Sequence, residues 1–92
     1  MAWKPDVKKI TWFASFNALP EPVKYEVGDF VRAVLLNPYD SKITDPTLTV
    51  QYDGSGKQTT RLHSGYRVMW NVAADGVSVL FWDILPPVTK QG

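Results

Sequence analysis

The residues with chemical reach lie mostly in the second half of the chain. His63 and Ser64 set an imidazole beside a hydroxyl. A nucleophilic serine needs a base within hydrogen-bond distance and a third group to orient that base. Neighbours in a strand point to opposite faces, so this pair meets only across a turn. A solvated loop is the plainer expectation. Asp83 closes an otherwise apolar run at 77–82, and a carboxylate buried there needs a partner such as Arg67. A hydrolytic pair takes two carboxylates about 5–10 Å apart in a cleft, whereas the nine Asp and Glu are spread along the chain. If the protein is a small enzyme, Asp83 or His63 is its centre.

A second constellation is basic. Lys57, Arg61, His63 and Arg67 follow one another with no acidic residue between positions 54 and 74, and Tyr66 and Trp70 are interleaved with them. A basic groove with aromatic platforms is the pattern of small barrels that bind single-stranded nucleic acid, and Arg61, Tyr66 and Arg67 are the contacts such a barrel would use. Two observations weigh against it. Tyr66 and Trp70 alternate with Val68 and Val72 on one face, which predicts core. Ten Lys and Arg against nine Asp and Glu give a net charge of +1, which exerts little pull on a polyanion. Nucleic acid is therefore not the expected partner. The segment Asp53-Gly54-Ser55-Gly56-Lys57-Gln58 has part of a phosphate-binding loop, but Gln51 and Gln58 stand where that motif needs Gly and Ser or Thr. It predicts a hairpin turn.

With no cysteine and one histidine, the chain offers no disulfide, no thiolate and too few ligands for a zinc site. No metal or cofactor is expected. No apolar run approaches the roughly 18 residues of a membrane span, and no secretory leader is evident, so a cytoplasmic location is expected. The 92 residues, 45% hydrophobic and 21% charged, predict one globular domain over 1–92, with 85–92 as a frayed tail.

The elements that must position these residues read as short strands. Residues 8–16, 23–27 and 30–36 alternate or are β-branched; 47–52 alternates cleanly; 58–62 is polar and suited to an edge; 66–72 and 77–84 follow, separated by the turn Ala74-Asp75-Gly76. Positions 23, 27, 30, 31, 34 and 35 also fit a helical stripe, ended by Asn37-Pro38. Gly28 and four valines favour strand instead. The expected class is all-β and mostly antiparallel, a small barrel or sandwich of about six strands, with an α+β alternative in which 22–36 is a helix packed on the sheet. The cadence of 25–33 and 45–54 resembles the immunoglobulin-like modules of bacterial and phage structural proteins. It covers under half of the chain and consists of turn chemistry shared by unrelated β folds, so it identifies no family.

The last strand carries apolar side chains on both faces, and a domain of this size buries only about 60% of its surface. Once one inner face is filled, aromatic residues are left over. This predicts a self-associating, non-catalytic binding or assembly module, a homodimer joined through Trp82, Leu80 and Ile84 with Trp3 or Phe13. A cleft at the junction would take a small apolar ligand.

Overall fold

The computed structural model describes residues 3–52 and 54–88. Its architecture is α+β, which corrects the all-β expectation. Eight elements follow in order: β1 (Lys4–Val7), α1 (Thr11–Asn17), α2 (Glu21–Leu36), α3 (Ser41–Thr44), β2 (Thr49–Gln51), β3 (Gln58–Arg61), β4 (Arg67–Val72) and β5 (Ser78–Leu85). The strands form one sheet in the order β1-β5-β4-β3-β2. β1 runs parallel to β5, and the other pairs are antiparallel. β1 and β2 are both edges, so the sheet is open and no barrel closes.

The first half of the chain is where alternation misleads. Residues 8–16 are not a strand: Trp12 and Phe16, four apart, turn one face of α1 inward, and the Trp12 ring packs 5.5 Å from that of Phe81. Residues 23–36 are one helix, as the alternative held. Val23, Val27, Phe30 and Val34 are buried along it, spaced as one helical stripe. A valine costs a helix under about 0.7 kcal/mol and a glycine about 1. Burying each of those four side chains returns about 1.5–3 kcal/mol, so packing outweighs propensity. Pro20 and Pro22 fit the start, where a missing N–H costs nothing, and Asn37-Pro38 ends the helix. The stretch that resembled an immunoglobulin-like module at 25–33 lies inside α2.

The second half follows the sequence closely. Gly56, Gly65 and Gly76 take positive φ in the β2–β3, β3–β4 and β4–β5 hairpin turns, where a side chain would be strained. Asp53 lies outside the described residues, as do 89–92 of the expected tail; Leu85 ends β5. Asp75 ties the β4–β5 turn together, accepting from the N–H groups of Val77 and Ser78, both at 2.9 Å, and from the Ser78 hydroxyl at 2.8 Å. The Val77 N–H first, then Ser78, hold its carboxyl below the ordinary value. A depressed folded-state value stabilises the fold above the unfolded value, near 3.9, and that contribution fades as pH falls through the folded one. Asp75→Ala should therefore lower the melting temperature at neutral pH, with the gap to wild type closing as pH is taken below about 4. Calorimetry across that range checks it; a gap independent of pH contradicts it.

The core lies between the helices and one sheet face. Val68, Trp70, Val79, Phe81 and Ile84 supply the sheet side. Trp70 is fully buried and meets Phe30 edge-on at 6.1 Å between ring centres. Its indole Nε1 donates to Thr60 Oγ1 at 2.8 Å. Thr60 and Thr49 hydroxyls lie 2.6 Å apart, and Thr49 Oγ1 gives its proton to the Ile43 carbonyl. A hydroxyl has one proton, so Thr60 must be the donor to Thr49. The chain Trp70–Thr60–Thr49–Ile43 thus runs in one direction, with every donor used. No described helix is long and apolar enough to cross a membrane.

Candidate functional site

The helices cover one face of the sheet and leave the other open. Strand alternation puts Arg67, Met69 and Asn71 on the open face, opposite Val68 and Trp70. β3 contributes Thr59 and Arg61 to the same face, since Thr59 pairs with Met69 and Arg61 with Arg67. Met69 and Thr59 are buried even here and make its floor.

The Arg61–Arg67 rung is the electrostatic feature of this face. Two like charges directly opposite on an antiparallel pair destabilise it, with side chains about 5 Å apart at their roots. Arg61 is exposed and Arg67 half-buried. Arg67 Nη2 donates to the Pro86 carbonyl at 3.1 Å, which fixes the guanidinium beside the end of β5. Its Nε is buried and makes no hydrogen bond among the described residues. Two guanidinium groups on one rung form a cationic pair suited to a phosphate, which accepts several charge-assisted bonds at once.

A second group sits farther along the face. The register of β4 and β5 shifts between Met69, opposite Asp83, and Trp70, opposite Phe81. Trp82 is the extra residue of this bulge, and bulges re-aim side chains. Its indole Nε1 donates to Asn71 Oδ1 at 2.6 Å, and the Asn71 amide donates to the Val72 carbonyl at 3.1 Å. Lys57 places its ammonium 4.3 Å from the centre of the indole ring, within cation–π range.

The residues singled out by sequence divide among different places. Arg61 and Arg67 share the open face. Tyr66 does not join them; it packs against the core. Of the expected interface set, Leu80 and Trp82 are half-buried on β5, but Ile84 belongs to the chain's own core. Trp3 packs edge-on against Tyr39 at the β1 edge, 5.7 Å between rings, and Phe13 is 57% exposed on α1. Phe13 borders a shallow groove of about 370 Å³ between α1 and α2, also lined by Phe16, Val31 and Arg32. His63 is exposed, and Ser64 is tied into the β3–β4 turn: its N–H donates to Glu26 Oε2 at 3.1 Å, and its Oγ accepts from the Tyr66 N–H at 3.4 Å. Asp83 faces α1, with Ser15 Oγ at 3.5 Å and the Ile84 N–H at 2.8 Å. Among the described residues, no three His, Cys, Asp or Glu gather as metal ligands. The Lys57–Trp82–Asn71 group was missed, because the bulge that assembles it has no sequence signal.

No protein-family model matches the chain, and no curated protein matches it in sequence. Solved structures match it in fold. The isolated RelE toxin of E. coli superposes with a TM-score of 0.76 at 16% identity, over 98% of this chain and 89% of that one. The toxin–antitoxin complex RelBE2 from Mycobacterium tuberculosis gives 0.67 at 12% identity, over 92% of this chain and 98% of the other. The archaeal RelE–RelB complex from Pyrococcus horikoshii gives 0.68 at 16%, over 94% and 96%. The likeness spans nearly the whole chain and establishes that it has the fold of the RelE toxins.

Proposed function

We propose that this chain is the toxin of a toxin–antitoxin pair and that it acts on RNA through the open face of its sheet. The observation that carries this is the match of nearly every described element to a toxin fold, 98% of the chain against the E. coli RelE toxin. The chemistry of the open face supports it. RNA brings its own nucleophile, the 2′-hydroxyl, so the protein's task is to hold the strand in line and neutralise charge gathering on the phosphate. Arg61 and Arg67 would take the phosphate, and Lys57 a neighbouring one. The net charge of +1 does not oppose this, because a local pair of cations sets the field over a single phosphate within a Debye length of about 8 Å. An RNA-directed toxin works in the cytoplasm, where its target is.

Two expectations give way here. The non-catalytic, self-associating module with an apolar-ligand cleft is overturned by the toxin fold. The homodimer, with Trp82, Leu80, Ile84, Trp3 and Phe13 as its contact set, gives way to a heteromeric partner. Proteins of this fold from E. coli and M. tuberculosis are seen in toxin–antitoxin complexes, and the one from P. horikoshii in a RelE–RelB complex. The surplus of apolar side chains that motivated the dimer is largely absorbed by α1 and α2 on one face of β5. Tightly repressed expression followed by induction in a bacterial host tests the proposal. Growth should stop soon after induction; unimpaired growth with folded protein accumulating would refute it.

A further inference from the structure

Resting on the RNA reading above, we infer that Trp82 is a stacking platform for one unpaired nucleobase, with Lys57 as a cation that leaves the ring when the base arrives. Three observations converge. The bulge at Met69/Trp70 makes Trp82 the extra residue of β5, next to Phe81, which faces the core, and without a cross-strand partner of its own in the β4–β5 register. The indole is then fixed from its edge: Nε1 donates to Asn71 Oδ1 at 2.6 Å, and Asn71 is itself anchored to the Val72 carbonyl at 3.1 Å. An edge held in this way leaves the ring orientation set in advance, which lowers the ordering cost of binding. What occupies the ring face is the end of a flexible side chain, the Lys57 ammonium at 4.3 Å from the ring centre. Such a contact is weak at an exposed site, weaker than the stacking of a base.

Position decides the ligand class. Lys57 precedes β3 and Arg61 ends it, four residues apart and thus about 13 Å along the strand. The platform and the Arg61–Arg67 pair therefore lie a short run of nucleotides from each other on one face. A single strand laid along β3 would place a phosphate on the arginines and an unpaired base on Trp82, and the displaced Lys57 would be free to meet the next phosphate. Stacking serves any base, because each has a π face, so the subsite selects for an unpaired strand and not for sequence.

Anisotropy of a labelled, unstructured oligouridylate tests this with wild type, Trp82→Phe and Trp82→Leu, and with the same strand carrying single abasic positions. Trp82→Leu should weaken binding about 10–100-fold, and Trp82→Phe should stay within about threefold because it keeps an aromatic face. One abasic position should weaken wild type by a similar factor and have little effect on Trp82→Leu. Equal losses for Leu and Phe would overturn the platform, since they would show that only the indole N–H matters. Unchanged affinity in both variants would overturn it while leaving RNA binding in place. If wild type itself fails to bind the strand, the RNA reading and the platform fall together. The abasic series on wild type alone decides the matter should Trp82→Leu fail to fold: no sensitive position there refutes the platform.

Discussion

Trp70→Ala is expected to remove about 3–5 kcal/mol of stability, a large share of the roughly 5–15 kcal/mol that holds a domain of this kind folded. Trp70 is the largest fully buried side chain, and it joins three parts of the core. Its ring meets Phe30 of α2, its Nε1 donates to Thr60 of β3, and Thr60 passes the hydrogen-bond chain to Thr49 of β2. Alanine leaves a cavity and also strands the Thr60 hydroxyl as an acceptor without its donor. Thr60→Val separates the two effects. It keeps the packing and leaves the indole N–H buried and unpaired, for about 1–3 kcal/mol. Urea unfolding of the three proteins should rank wild type above Thr60→Val and Thr60→Val above Trp70→Ala. A loss below 1 kcal/mol for Trp70→Ala, by the same scale, would mean that the ring is not the keystone of the core.

The second large effect concerns function without fold. Arg61→Ala/Arg67→Ala should weaken RNA binding about 100-fold, because each arginine–phosphate contact contributes on the order of 1.5 kcal/mol or more as a charge-assisted bond. The slope of log affinity against log salt should fall by about 0.7, the value for one phosphate contact on a single strand, since the pair holds one phosphate. Arg61→Ala alone gives the stability readout. It removes one of two like charges facing each other across the β3–β4 rung, so the variant should unfold at the same denaturant concentration as wild type or a higher one. A residue that lowers stability while serving a ligand behaves as site residues do. If Arg61→Ala destabilises the fold and leaves RNA affinity unchanged, the rung is structural.

The β half of the fold was legible in the sequence, and the helical half was not, for one physical reason. Around β2 and along β4 the apolar period is two, β3 and β5 are short runs bounded by turns, and each hairpin turn carries a glycine that takes positive φ, so pattern and turn chemistry agree. In 8–16 the inward residues Trp12 and Phe16 are four apart, a spacing that serves a strand and a helix equally. In 23–36 the four valines favoured extended chain, while the stripe that decides the matter exists only once a sheet is present to bury it. The inference of surplus apolar surface failed at the same place: with α1 and α2 unrecognised, β5 had no cover for its inner face. Arg61 and Arg67 were visible as a basic stretch, but their pairing on one rung depends on the β3–β4 register. Tyr66 was drawn into that group by proximity in sequence and separated from it by the pleat. Alternation places Trp82 on the second face of β5, but its partners Asn71 and Lys57 come from β4 and the β2–β3 turn and are gathered by a bulge that leaves no mark in the sequence.

The most direct test of an RNA-directed toxin acting from the open sheet face is to map transcript ends in cells shortly after induction, comparing wild type with Arg61→Ala/Arg67→Ala at matched protein levels. Wild type should produce new ends within coding transcripts as growth stops, and the double variant should produce few or none while remaining folded. Growth arrest with intact transcripts, or the same ends from both proteins, would contradict the account.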